Sequence, residues 1–188
     1  MEFYFDEFAL PMVALRGLVV FPGAVVHFDV GRKQSIAAIK EAMTAKKDVF
    51  LVAQKNAEQQ DINLYDLYNI GTVCEIKQLV RMPSGDAFRV VVEGKFRAAL
   101  CGLVSKTPFL TASVMRTVEK AEQGTSLKKE AMVRHAKALF EEYAEYSSPL
   151  APDVAIGVTT RKDAGELADY IAANIPIEYR TRSLTGYS

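Results

Sequence analysis

Apolar and polar positions alternate along two long runs rich in β-branched residues, 71–82 and 88–96, with Pro83-Ser84-Gly85-Asp86 between them. A period of two puts one set of side chains on each face of a strand. Proline presets a turn φ and glycine accepts the positive φ of a tight reversal, so the stretch predicts one long β-hairpin. Shorter apolar runs predict further strands over residues 10–15, 25–30, 49–54, 98–104 and 109–118. Between residues 31 and 46 the period changes: Ile36, Ile39 and Met43 recur at spacings of three and four, with Ser35 available to cap the start. That pattern predicts one amphipathic helix crossing the sheet. Several strands, a single helix and no βαβ alternation predict a compact, mainly antiparallel β-barrel-like lobe.

The pattern shifts after Glu119. Gly124-Thr125-Ser126 opens a long helix to about Tyr146, on which Met132, Ala136, Leu139, Phe140, Tyr143 and Tyr146 form an apolar stripe expected to be its buried side. Pro149 and Pro152 stop it and permit a short helix through Val158. Asp163, with Glu166 three residues on, resembles a capping box opening a last helix that Pro176 ends. The fold class is therefore α+β: a β-rich lobe over residues 1–119, a small α-helical lobe over 125–178, and a tail over 179–188. The tail lacks periodicity and is expected to be partly vector-derived.

Composition narrows the function more than it names it. With 49% hydrophobic residues in 188, the chain has ample material for a buried core. Lys plus Arg and Asp plus Glu balance at 23 each, without a run of like charge, so nothing offers a footprint for a phosphate backbone and nucleic acid is not an expected partner. An RNA-binding barrel would also need an aromatic and basic sheet face, which the strands lack. The amino terminus, Met1-Glu2-Phe3-Tyr4-Phe5-Asp6-Glu7-Phe8, is acidic and aromatic where a secretion signal would be basic and then aliphatic. No uncharged apolar run approaches the roughly 20 residues of a membrane span. A cytoplasmic protein is expected, with Cys74 and Cys101 as reduced, small core side chains.

Reactive constellations are missing from the sequence. His27 and His135 lie far apart, and two His and two Cys without close pair spacing do not suggest a metal site. Ser84, Ser105, Ser113 and Ser126 lack a G-x-S-x-G context, and Cys74 has no base suggested beside it. Gly94-Lys95 is followed by Phe96, not Ser or Thr, and no glycine stands five positions before Gly94, so no phosphate-cradling loop is encoded. Neither catalysis nor a cofactor is expected of this chain.

The hairpin also carries a resemblance. Gly71-Thr72-Val73, Met82-Pro83-x-Gly85 and Val91-Val92-Glu93-Gly94-x-x-Arg97 resemble the amino-terminal domain of Lon, the ATP-dependent protease. Upstream, Leu10-Pro11-Met12-Val13-Ala14-Leu15-Arg16-Gly17-Leu18-Val19-Val20-Phe21-Pro22-Gly23, Val30-Gly31-Arg32-Lys33-Gln34-Ser35 and Phe50-Leu51-Val52-Ala53-Gln54-Lys55 are similar to that family. Leu167-Ala168-Asp169-Tyr170-Ile171-Ala172-Ala173-Asn174-Ile175-Pro176 fits it near the end. The resemblance implies a PUA-like, non-catalytic domain that recognises unfolded or damaged protein and supports assembly of a ring, a hexamer in the family. ATP and Mg, and the Ser-Lys protease, would belong to other parts of the parent. A free-standing relative that binds a small ligand or protein partner is the alternative.

Candidate contacts with such substrates follow from the turns. Leu18, Val19, Val20, Phe21 and Pro22 form an apolar run ending in a bend, which either plugs one end of the β lobe or leaves Phe21 and its neighbours partly exposed. Met82 and Pro83 at the hairpin tip offer a second, adaptable apolar contact. The aromatic residues Phe3, Tyr4, Phe5 and Phe8 are a third candidate.

Overall fold

The computed structural model describes residues 7–83, 85–117, 126–146 and 151–175. The chain divides into two compact units that part between Thr117 and Val118. The first holds β1 (Glu7–Leu15), β2 (Val25–Val30), α1 (Lys33–Thr44), β3 (Val49–Ala53), β4 (Ile70–Arg81), β5 (Phe88–Ser105) and β6 (Thr111–Arg116). The second holds α2 (Ser126–Tyr146), α3 (Pro152–Thr160) and α4 (Ala164–Asn174). The fold is thus α+β, as the patterning predicts. The expected tail over residues 179–188, Phe3, Tyr4, Phe5 and the segment 120–125 lie outside the described residues.

Six strands form one sheet in the order β2-β5-β4-β3-β1-β6, and β5 also pairs with β6. The pairings β5–β4–β3–β1–β6 therefore return to β5, and β2 is added to the outside of this ring. β5 closes it because one strand of 18 residues serves two ladders: its first half pairs with β4 and β2, its second half with β6. The sequence pattern instead suggests two strands broken near Arg97. All the named pairings are antiparallel except β1 with β3.

Closure gives the sheet two cores. Residues from every strand of the ring, among them Met12, Phe50, Val73, Ala98 and Val114, meet in one. Val13, Leu51, Cys74 and Val92 point the other way and pack with Ala38, Ile39 and Ala42 of α1. β3 is consequently buried at all five positions, which is why Val49 to Ala53 reads as a continuous apolar run rather than as an alternation. β2, at an edge, alternates exposed and half-buried positions until Val30.

Two local expectations need correction. Ser35 does not cap α1; Arg32 is the N-cap residue, no side chain closes the helix start, and Ser35 sits one turn in and buried. Cys74 is buried and neither cysteine is bridged, but Cys101 is exposed. The register of β5 on β6 skips from Leu100 to Gly102, so Cys101 is the extra residue of a bulge and turns outward.

In the second unit Val133, Phe140, Val154, Val158 and Leu167 form the core. α3 starts with Pro152, whose missing N–H costs nothing in a first turn. Asp163 caps α4 by accepting from the Glu166 N–H at 2.9 Å, the half of the predicted capping box that the structure shows. The expected buried stripe of α2 is a further correction. Val133 and Phe140 are buried, whereas Met132, Leu139, Tyr143 and Tyr146 are 57%, 51%, 36% and 84% exposed.

Candidate functional site

The segment between β1 and β2 carries five of the predicted contact residues. Val20 and Phe21 are buried, Phe21 to 3% exposure, while Leu18, Val19 and Pro22 are half-buried. The bend thus shows its flanks and hides its aromatic ring. The Thr72 hydroxyl donates to the Val20 carbonyl at 2.6 Å, and the guanidinium of Arg97 stands 6.0 Å from the centre of the Phe21 ring. A cavity of about 30 Å³ remains beside Val19, Val20, Phe21 and Arg97, room for about one water.

Gly94 of β5 fixes the bend. Gly23 N–H donates to the Gly94 carbonyl at 2.9 Å, and Gly94 N–H donates to the Ala24 carbonyl at 3.0 Å. A Cβ at Gly94 would collide with the carbonyl of Phe21, so only glycine lets the two backbones approach this closely. At the hairpin tip Met82 N–H donates to the Ala87 carbonyl at 2.9 Å, and Gly85 takes φ 95°. Met82 is half-buried there and Pro83 exposed. Phe8 packs edge-on against Phe96, ring centres 6.5 Å apart.

A larger concavity opens beside Leu18. It has a volume of about 450 Å³ and lies among the end of β1, the end of β2 and the start of α1. Leu15, Leu18, Phe28 and Val30 supply apolar wall; Arg16, Arg32, Asp29 and Ser35 supply the polar groups. The arginines are held by the loop after β3. Arg16 Nη2 donates to the Gln59 carbonyl and Gln60 Oε1, both at 3.3 Å. Arg32 Nη2 donates to Gln54 Oε1 at 2.8 Å and to the same Gln59 carbonyl at 3.3 Å. Gln54, fully buried, also donates to that carbonyl, at 3.2 Å. Asp29 is held by Arg89 through two bonds of 2.8 and 3.0 Å, and this partner lowers its carboxyl below the usual range.

Sequence reasoning passed over this concavity, although Val30-Gly31-Arg32-Lys33-Gln34-Ser35 contains a readable signal. A helix that begins with two basic residues and no acid in its first turn works against its own dipole. The exposed face of α2 was missed for the opposite reason, by being assigned to the core. Among the described residues no group of three His, Cys, Asp or Glu side chains could hold a metal ion, and His27 and His135 are both exposed. Burial pushes the Cys74 thiol well up, with the Asp48 carboxylate adding to the effect, so it is a poor nucleophile in this setting.

Solved structures share this architecture. The N-terminal domain of Mycobacterium avium complex Lon protease aligns at TM-score 0.72 and 21% identity, covering 95% of this chain and 89% of that one. A Lon N-terminal domain protein from Xanthomonas campestris aligns at 0.53 and 12%, covering 90% and 99%. At such identities the likeness is one of fold. Residues 9–183 match the family model of the ATP-dependent protease La (LON) substrate-binding domain, and the chain belongs to that family. The chain is 40% identical to the Lon protease of Syntrophomonas wolfei over 166 residues, 88% of this chain and 20% of that protein. It is 38% identical to the Lon protease of Desulforamulus reducens over 170 residues, 90% and 21% respectively. The chain therefore spans about a fifth of the length of these curated relatives.

Proposed function

We propose that this domain recognises unfolded or damaged protein substrates on behalf of an ATP-dependent protease, without chemistry of its own. The observation that carries this reading is the family match over residues 9–183. ATP, Mg and the peptide-cleaving residues would then lie in other parts of the parent, which would assemble as a ring, a hexamer by the family resemblance, in the cytoplasm. Nucleic acid has no place in this reading, given 23 basic against 23 acidic residues.

The contact is apolar. Met132, Leu139, Tyr143 and Tyr146 lie on one face of α2 and are exposed, which supports a surface able to take extended apolar segments. Leu18, Val19 and Pro22, with Met82 and Pro83, are the corresponding positions of the β unit. Val20 and Phe21 support them from inside. Each copy binds weakly, and several copies held in a ring gain by avidity.

The test is a titration of a permanently unfolded protein onto the isotope-labelled chain. Amide shifts are expected along the exposed face of α2, and Met132→Ser with Leu139→Ser lowers affinity at unchanged melting temperature. No shift anywhere on the chain removes the reading.

A further inference from the structure

The concavity at the start of α1 gathers positive charge that the fold does not neutralise. Arg16 and Arg32 converge on one carbonyl, that of Gln59, and among the described residues neither has a carboxylate partner. Two guanidinium groups that share one neutral acceptor, each with a further neutral amide oxygen, repel one another. The N-terminus of α1, a helix twelve residues long with no side-chain cap, borders the same concavity through Gly31, Arg32 and Ser35. Its first N–H groups have no partner within the helix, and Arg32 and Lys33 add like charge to its positive end. The Ser35 hydroxyl lines the same space, is only 9% exposed and makes no hydrogen bond among the described residues. A buried hydroxyl without a partner is costly, and its position points to an acceptor that arrives from outside. The acidic residue at the rim, Asp29, is occupied by Arg89.

The rest of the wall is apolar: Leu15, Leu18, Phe28 and Val30. A free inorganic anion would leave that wall facing water. The terminal residue of a polypeptide has both features on one Cα, a carboxylate and a side chain. The volume of about 450 Å³ lies within the range of roughly 300–1,000 Å³ usual for ligand pockets.

We propose that this pocket captures the carboxyl-terminal residue of a polypeptide, with Arg16, Arg32, Ser35 and the α1 N-terminus on the carboxylate and Leu15, Leu18 and Phe28 on an apolar last side chain. Oxyanions are favoured at helix N-termini, and charge-assisted bonds from arginine hold carboxylates in a defined orientation. The inference rests on the protein-substrate reading above and names the part of a substrate that this site takes.

The experiment uses the full chain and two soluble peptides of six residues ending in leucine, identical except that one ends in a free carboxylate and the other in an amide. The free acid is expected to shift the amides of Arg16 and of residues 31–35 and to bind about tenfold more tightly than the amide. Arg16→Gln, at an exposed position, and Ser35→Ala each reduce that preference without lowering the melting temperature. Equal affinity of the two peptides, or shifts confined to α2, overturns the proposal. If inorganic phosphate shifts residues 31–35 while the peptides do not differ, the pocket is an anion site of another kind and the proposal again fails. An unfolded protein that binds while the peptides do not differ leaves the recognition reading standing and removes only the terminal pocket. If neither unfolded protein nor peptide binds, both readings fall.

Discussion

Among the described residues, twelve buried ones fill each of the two cores of the β unit, one on either face of the central strands, whereas five from three helices form the core of the helical unit. The first arrangement follows from closing the sheet. Once β5 pairs with both β4 and β6, β1 and β3 have protein on both faces and no apolar position on β3 is left for water. Three helices around a small core cannot do the same. α2 buries one narrow row and presents Met132, Leu139, Tyr143 and Tyr146 outward. Among the described residues, the helical unit thus shows a row of exposed apolar side chains along one helix, while the β unit holds the pocket at the start of α1.

The largest effect that would break this contrast is a cavity in each core. Phe50→Ala and Phe140→Ala both truncate a buried ring, at 0% and 5% exposure, and such changes cost about 3–5 kcal/mol. In the β unit the second core remains, so Phe50→Ala lowers the melting temperature of a unit that still folds. In the helical unit the described residues form no second core, so Phe140→Ala abolishes its transition and its dispersed amide signals while those of the β unit persist. Calorimetry with amide spectra decides it. Loss of both units in either variant would show that they fold as one.

How much of this was legible in the sequence depends on whether partners were local. The β4–β5 hairpin and α1 were readable because each is set by neighbouring residues: turn chemistry at Pro83 and Gly85, and spacings of three and four from Ile36 to Met43. The ring was not, since the pairing of Met12 with Phe50 and of Leu100 with Val114 joins segments that share no local signal. α2 shows the limit most clearly. Val133 and Phe140 follow Met132 and Leu139 by one residue, and a single residue turns a helix by about 100°. Two apolar rows were thus present, and packing against α3 and α4 buried the shorter one. At the candidate site the bend after β1 was legible. Its burial of Phe21, and the pocket formed where Arg32 meets Gln54, depend on folding residues 54–59 back onto β1.

Within the β unit, the bend offers a smaller and sharper test. Gly94→Ala places a methyl group against the Phe21 carbonyl, and the bend must shift to admit it. Overpacking of this kind costs about 1–3 kcal/mol. Amide shifts should concentrate at residues 18–24 and in β5 near position 94. If the variant melts like the parent, the bend is not held by this contact and Leu18, Val19 and Pro22 lose their fixed placement.

The smallest effect is electrostatic and concerns the rim of the pocket. Asp29 is exposed, yet the hydrogen bonds from Arg89 hold its carboxyl below its ordinary value of 3.8, and Glu75 is lowered from 4.5 chiefly by its bond with Lys77. A carboxyl lowered by folding contributes stability above its unfolded value, and that contribution disappears as the pH falls through the folded value. For Asp29 the loss therefore occurs below pH 3.8, and for Glu75 it begins below 4.5. Exposed pairs of this kind contribute little and are screened by salt. Arg89→Gln should raise the Asp29 titration midpoint toward its ordinary value, as followed by the side-chain carboxyl carbon, and should leave the stability of the helical unit unchanged. The stability difference between parent and variant should shrink as the pH drops through that window and as salt is added. A difference that persists at pH 2 and high salt would mean that Arg89 acts by packing along β2 and β5, and that Asp29 at the pocket rim is not neutralised in the way the two hydrogen bonds imply.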